Sequence, residues 1–261
     1  MIITSKDNAT VKQVKKLLSG AKYRKREGAF VMEGLRLCRD AAQNGVSISA
    51  TLVTEKFTAD FPEAFGEINA ASKACFTVSE SIMNTLSDTP SPQGVVCVCN
   101  IPSFASLPEQ AGKFVLLEQV ADPSNLGAIA RTAEAMGIDG LCISGGCDPY
   151  HPKALRASMG ALLRLPVYSG EMNEILSCMN GLQVPTYAAV VKNADYEVGQ
   201  VNFSGPCAVV IGNEAGGITP ETASSCTNTI TIPMAGRAES LNAAAAACVL
   251  IWEMTGRGGE R

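Results

Sequence analysis

FVLLEQVADPSNLGAIARTAEAMGIDGLCIS, residues 114–144, is the stretch on which the fold turns. It opens on a continuous apolar run, FVLLEQV, passes through a Pro/Ser/Asn loop, and continues with apolar residues at helical spacing. It ends in a second apolar run, DGLCIS. A strand, a helix and a strand in that order make a βαβ unit, and unbroken apolar strands are those of a parallel sheet covered on both faces. The alternation continues with a helix from about Pro152, LPVYS, a helix near 171–180, PTYAAVV, CAVVIG, NTITIP and a long final helix from about Leu241. Upstream, a shorter alternation starts at NATVKQVKKLLS, a helix with Asn8 as N-cap and Val11, Val14, Leu17 and Leu18 on one face. It passes through GAFVMEG, LRLCRDAAQNG, SATLVT, ACFTV and SESIMNTLSD to GVVCVC. The expected fold class is α/β in two parts. A small α/β domain covers 1–100, and IPSFASLPEQAG (101–112), with two prolines and no periodicity, is a linker. A parallel-sheet domain covers 113–261.

Hydrophobic residues are 46% and charged residues 18%, a balance that excludes a disordered chain and gives packed cores. The longest uncharged apolar run, AAAAACVLIW, is far shorter than the ~20 residues of a membrane-spanning helix and reads as buried. MIITSKDN has no leader-like pattern, so a cytoplasmic protein is expected. The ten cysteines lie mostly in apolar surroundings and read as reduced core residues. Cys97 and Cys99 are the only close pair and no histidine cluster accompanies them, so no metal is expected. The single histidine, His151, excludes any mechanism that needs two, and reads as a surface or capping residue. Charge is uneven. The net value is −4, yet residues 1–40 hold ten Lys or Arg against four Asp or Glu. Within that basic part, KYRKR interleaves Tyr23 with Lys22, Arg24, Lys25 and Arg26, which are expected to contact nucleic-acid phosphates.

Three stretches of the second domain follow strands and mix glycine with polar residues, at the strand ends where open α/β sheets bind ligands. In DPSNLGAIAR, Asn125 lies near the first-turn amides. Gly127 and Arg131 share a helix face, so a phosphate could enter beside the guanidinium. In AVVIGNEAGGITPE (208–221), an apolar strand runs into a loop with glycines at 212, 216 and 217. The loop is neither a phosphate loop nor GxGxxG, and Glu214 needs a partner there. In ITIPMAGRAESLNAAAAACVLIWEM (230–254), Ser240 can cap the last helix, Asn242 sits in its first turn, and five alanines allow close helix approach.

Together the three are more specific. NLGAIAR fits N-x-G-x-x-x-R, IGNEAGG fits G-[NS]-E-x-x-G, and IPMAGRAESLN fits I-P-M-x-G-x-x-x-S-L-N. In this order they resemble the motifs of the SpoU/TrmH-type 2′-O-ribose RNA methyltransferases of the SPOUT superfamily. The resemblance extends to RASMGALLRLPV and to YRKREGAFVMEG, which looks like the start of that family's substrate-binding domain. It implies S-adenosylmethionine as methyl donor, a deep trefoil knot in the C-terminal part, and a homodimer packed through the knot region. Gly212, Ile232, Met234 and Leu241 would hold the cofactor. Arg131 would be the central catalytic residue, either removing the proton of the 2′-hydroxyl or orienting the ribose and its phosphate. Asn125, Glu214, Ser240 and Asn242 would complete the site, Glu214 holding a backbone group or Arg131, and Ser240 and Asn242 the cofactor end or the ribose. The substrate-binding domain leans toward ribosomal RNA, with transfer RNA second. A non-catalytic RNA-binding protein of this fold, or a nucleotide-dependent α/β enzyme, would use the same loops differently; the latter lacks the GxGxxG turn.

Overall fold

The computed structural model describes residues 2–87, 89, 91–102 and 106–256; residues 103–105 of the expected linker lie outside that set. The chain divides into two compact units, Met1–Ser103 with Tyr150–Leu163, and Phe104–Pro149 with Arg164–Arg261. In chain order the first unit contains β1 (Ile2–Ile3), α1 (Ala9–Ser19), α2 (Ala21–Glu27), β2 (Ala29–Glu33), α3 (Leu35–Gln43), β3 (Ile48–Val53), α4 (Glu55–Asp60), α5 (Pro62–Ala71), β4 (Cys75–Val78), α6 (Glu80–Leu86) and β5 (Val95–Asn100). The second begins with β6 (Lys113–Glu118), α7 (Pro123–Ala135) and β7 (Gly140–Ser144). The chain then returns to the first unit for α8 (Pro152–Ser158) and most of α9 (Ala161–Arg164). It finishes in the second with β8 (Val167–Ser169), α10 (Met172–Gly181), β9 (Thr186–Ala189), β10 (Tyr196–Glu197), β11 (Cys207–Ile211), α11 (Pro220–Ser225), β12 (Asn228–Thr231) and α12 (Ala243–Gly256).

The first unit holds a mixed sheet in the order β1-β4-β3-β5-β2, with β5 antiparallel to both β2 and β3. Asn8 caps α1 as its sequence requires, Oδ1 accepting from the Thr10 and Val11 amides, and Val11, Val14 and Leu17 are buried beneath it. Strands β3 and β4 are parallel neighbours, so a crossover must join them. That crossover is α4 and α5, which no apolar stripe announces because only Phe57 in α4 and Ala64 and Ile68 in α5 are buried. His151 is the N-cap of α8, its Nδ1 accepting from the Lys153 amide at 3.1 Å.

KYRKR corrects one expectation. It forms α2, and within it Arg24 is only 2% exposed. Its guanidinium donates to the Leu17 and Leu18 carbonyls at the end of α1, groups that a helix terminus leaves without intrahelical partners. Arg24 therefore ties α2 to α1 and is not a phosphate contact. Lys22 and Lys25 are exposed, while Arg26 stacks over Tyr23 at 4.7 Å and donates to Glu27 at 2.8 Å. Arg24→Ala is expected to destabilise the protein by about 2–3 kcal/mol in denaturant unfolding, because it strips a buried carbonyl and a half-buried one of a charged donor.

The second unit is a seven-stranded sheet, β10-β12-β9-β11-β6-β7-β8, and every pairing is parallel. Its middle strands are buried throughout, which their unbroken apolar runs demand. Asp122 caps α7, Oδ1 accepting from the Ser124 amide at 2.9 Å, and Pro123 takes the first helical position, where no amide is needed. Leu126, Ile129, Ala130 and Ala133 form the buried face of α7, against which the alanine-rich α12 packs. The ten cysteines are free, and burial pushes Cys142 up to about 12 and Cys207 up to about 11, so both are inert thiols at neutral pH. Cys75 and Cys248, expected in the core, are exposed.

Candidate functional site

Strands β6 and β11 are neighbours with Leu117 opposite Ile211, so the loops that follow them leave the sheet side by side. The β6 loop begins at Gln119, which sits at φ 55°, a left-handed conformation that a residue with a side chain seldom adopts. Asn213 Nδ2 donates to the Gln119 carbonyl at 2.7 Å and fastens the second loop to it. The second loop also closes on itself. Asn213 and Gly217 exchange both backbone hydrogen bonds, and Asn213 Oδ1 accepts from the amides of Ala215 and Gly216. Only glycine fits at 212, because a Cβ there would lie 2.2 Å from the Gly217 carbonyl carbon.

Glu214 finds its partners across this junction. Oε2 accepts from the Ala121 amide at 3.0 Å, and Oε1 accepts from the Asp122 amide at 3.2 Å and from Asn125 Nδ2 at 2.8 Å. Burial pushes the Glu214 carboxyl up, but the donors from Asn125, Ala121 and Asp122 outweigh it and hold the group below its ordinary value. The chain of contacts continues, since Asn242 Nδ2 donates to Asn125 Oδ1 at 3.0 Å. Asn242 Oδ1 in turn accepts from the Ala244 and Ala245 amides, so Asn242 caps α12, a place the sequence offered to Ser240.

The cavity at these strand ends measures about 280 Å³. Gly212, Ile232, Met234 and Leu241 all line it, joined by Glu214, Ser240 and the apolar ends of β9, β11 and β12. Asn125 and Asn242 do not line it; Asn125 is bonded to Glu214, and Asn242 to Asn125. Arg131 stands apart. It is exposed on α7, and among the described residues no hydrogen bond or ion pair joins it to Glu214 or to any other group. Gly127, expected to leave room for a phosphate beside Arg131, is buried, and the amides at the start of α7 are met by the carboxylates of Asp122 and Glu214.

One residue of this junction was missed in the sequence, although its signal was present. Glu118 ends the apolar β6 and is 6% exposed. Its carboxylate accepts from the Thr219 amide and hydroxyl and from the Thr222 hydroxyl, anchoring the far side of the glycine loop to the sheet. A carboxylate in an otherwise apolar strand has to meet donors when buried.

Glycine loops at the carboxyl ends of parallel strands, meeting over an apolar cavity with a fixed polar chain beside it, define a ligand-binding α/β domain. Residues 112–252 match the SpoU rRNA Methylase family, and residues 8–97 match the MRM3-like substrate binding domain. An uncharacterised tRNA/rRNA methyltransferase of Synechocystis is 32% identical over 256 residues, covering 96% of this chain and 92% of that protein. The 23S rRNA (guanosine(2553)-2′-O)-methyltransferase RlmP of Bacillus subtilis is 29% identical, covering 97% and 99%. The crystal structure of the SpoU methyltransferase AviRb from Streptomyces viridochromogenes, in complex with the cofactor AdoMet, superposes with a TM-score of 0.87 at 27% identity, covering 96% and 98%. The chain belongs to the SpoU methylase family.

Proposed function

We propose that this protein transfers a methyl group from S-adenosylmethionine to a ribose 2′-hydroxyl of ribosomal RNA in the cytoplasm. The observation that carries the reading is that the cavity and the Glu214–Asn125–Asn242 chain share one set of strand ends. The lining suits this cofactor. Ile211, Ile230, Ile232, Met234 and Leu241 offer apolar surface to a flat base, and among the described residues the charged ones in the lining are Glu214 and Glu239, with no Lys or Arg to repel a cation. Gly212, Ile232, Met234 and Leu241 hold it. When bound, it supplies an electrophilic methyl group whose transfer leaves the C–S electron pair on sulfur.

The protein's own residues then have two tasks. One is to hold the ribose oxygen in line with the methyl carbon, and positioning of this kind supplies much of the acceleration. Glu214, Asn125 and Asn242 fix the loops that frame this approach, and Ser240 on the cavity wall offers a hydroxyl. The other task is to let the hydroxyl proton leave as the C–O bond forms. A guanidinium keeps its protons at any working pH, so Arg131 orients the ribose and its phosphate, and the proton passes to that phosphate or to water. Family membership adds a trefoil knot in the C-terminal part and a homodimer packed through it.

Residues 1–100 serve as the RNA-binding domain and 113–261 as the catalytic one, except that 150–163, expected in the catalytic part, belong to the first compact unit. Lys22, Lys25 and Arg26 contact phosphates. Replacing Lys22 and Lys25 together by alanine is expected to weaken binding to every RNA and to flatten the slope of log K against log salt by about 1.4. Fluorescence anisotropy across a salt series checks this, and an unchanged slope removes both residues from the RNA interface. The reading as a whole is tested by incubating the protein with labelled S-adenosylmethionine and separate pools of ribosomal and transfer RNA, then mapping 2′-O-methyl sites. Label in ribosomal RNA supports the proposal, label confined to transfer RNA moves the target, and no label in either overturns it.

A further inference from the structure

Among the described residues, two carboxylates line the cavity and no basic side chain does. Glu214 is committed to three donors. Glu239 is exposed, and among the described residues it accepts no hydrogen bond and joins no ion pair. It lies immediately before Ser240 and three residues before Asn242, on the segment that borders the cavity beside Glu214 and the Asn125–Asn242 pair. Its charge is therefore on the cavity wall and open to a ligand that, on the function proposed above, occupies the cavity.

We propose that Glu239 selects the cofactor by charge, its carboxylate facing the positive sulfonium and favouring the methyl-bearing form over the neutral thioether product. A sulfonium has no proton to donate, so a protein recognises it through a negative field, and a carboxylate with no internal partner provides one. The α-ammonium cannot serve the same end, because it is common to cofactor and product and pairing with it would hold both alike. Once the methyl has left for the ribose oxygen, the sulfur is neutral and the attraction to Glu239 is gone. Product release is thereby coupled to the chemical step.

The inference rests on the cavity being the S-adenosylmethionine site, and titration calorimetry separates the two. The protein and its Glu239→Gln variant are titrated with S-adenosylmethionine, with S-adenosylhomocysteine, and with sinefungin, which carries an amine-bearing carbon in place of the sulfonium. The variant is expected to bind S-adenosylmethionine and sinefungin about fivefold more weakly, the scale of a solvent-accessible ion pair, while S-adenosylhomocysteine changes by less than about twofold. Raising salt should narrow the preference of the unmodified protein for S-adenosylmethionine over the product. Equal losses for all three ligands, or none, overturn charge selection. Failure of the unmodified protein to bind any of the three overturns the cofactor site itself. Unfolding midpoints of both proteins, expected to coincide for an exposed residue, show that the variant is folded.

Discussion

Arg131→Ala is expected to abolish methyl transfer, with kcat falling by at least about 10²-fold, while S-adenosylmethionine binds as before. The structure separates these two readouts. Arg131 does not line the cavity and has no partner among the described residues, so its removal leaves Gly212, Ile232, Met234, Leu241 and Glu214 where they are. Its exposure also predicts that the unfolding free energy changes by no more than about 0.5 kcal/mol. What is lost is a planar guanidinium that can hold a ribose and its phosphate at two points. Arg131→Lys should therefore fail as well, because a flexible point charge does not reproduce that fork. Single-turnover transfer of labelled methyl, alongside calorimetry for the cofactor, checks both variants. Retained activity in Arg131→Ala would refute the assignment.

Glu214→Gln tests the other half of the site. A carboxylate accepts at both oxygens, and here Ala121, Asp122 and Asn125 all donate to it. An amide offers one oxygen and turns an NH₂ group toward a donor, so at least one N–H loses its acceptor. The loops after β6 and β11 lose their charged link, and Asn125 its hold. A fall in kcat/KM of about 10²-fold is expected, together with a lower unfolding midpoint. The pH dependence has a definite sign. The folded Glu214 carboxyl lies below its ordinary 4.5. Its contribution to stability is therefore complete above that value, and it is lost as pH falls through the lower folded pKa. Unfolding midpoints of the two proteins should differ most near neutrality and converge in acid, once pH has fallen through the lowered folded pKa of Glu214. A constant gap across the range would show that the ionised carboxylate is not what holds the loops.

Much of the fold and of the geometry around the candidate site was legible in the sequence because its determinants are local. Gly212 announces a close backbone approach, Asn8 a helix start, and the apolar runs of β6, β7 and β11 a sheet buried on both faces. Arg24 was not legible. A basic run has the same pattern whether its cations meet solvent or the end of a preceding helix, and only the turn between α1 and α2 carries Arg24 back to the Leu17 and Leu18 carbonyls. The partition between Ser240 and Asn242 was equally hidden, since both residue types cap helices and the choice depends on where α12 begins. Glu118 could have been suspected as a carboxylate at the end of an apolar strand, but not its partners Thr219 and Thr222, about a hundred residues away.

By itself the sequence determined the α/β class, the strand ends that carry the site and the residue types placed there, because periodicity, glycine and capping act within a few residues along the chain. The tertiary structure decided what each polar group touches. It matched the Glu214 carboxylate to the Ala121 and Asp122 amides and to Asn125 in the first turn of α7, linked Asn125 to Asn242 over 117 positions, and buried Arg24 while leaving Arg131 exposed. The physical reason is that a hydrogen bond needs its two groups within about 3 Å, and sheet order and helix packing, not sequence separation, bring them there.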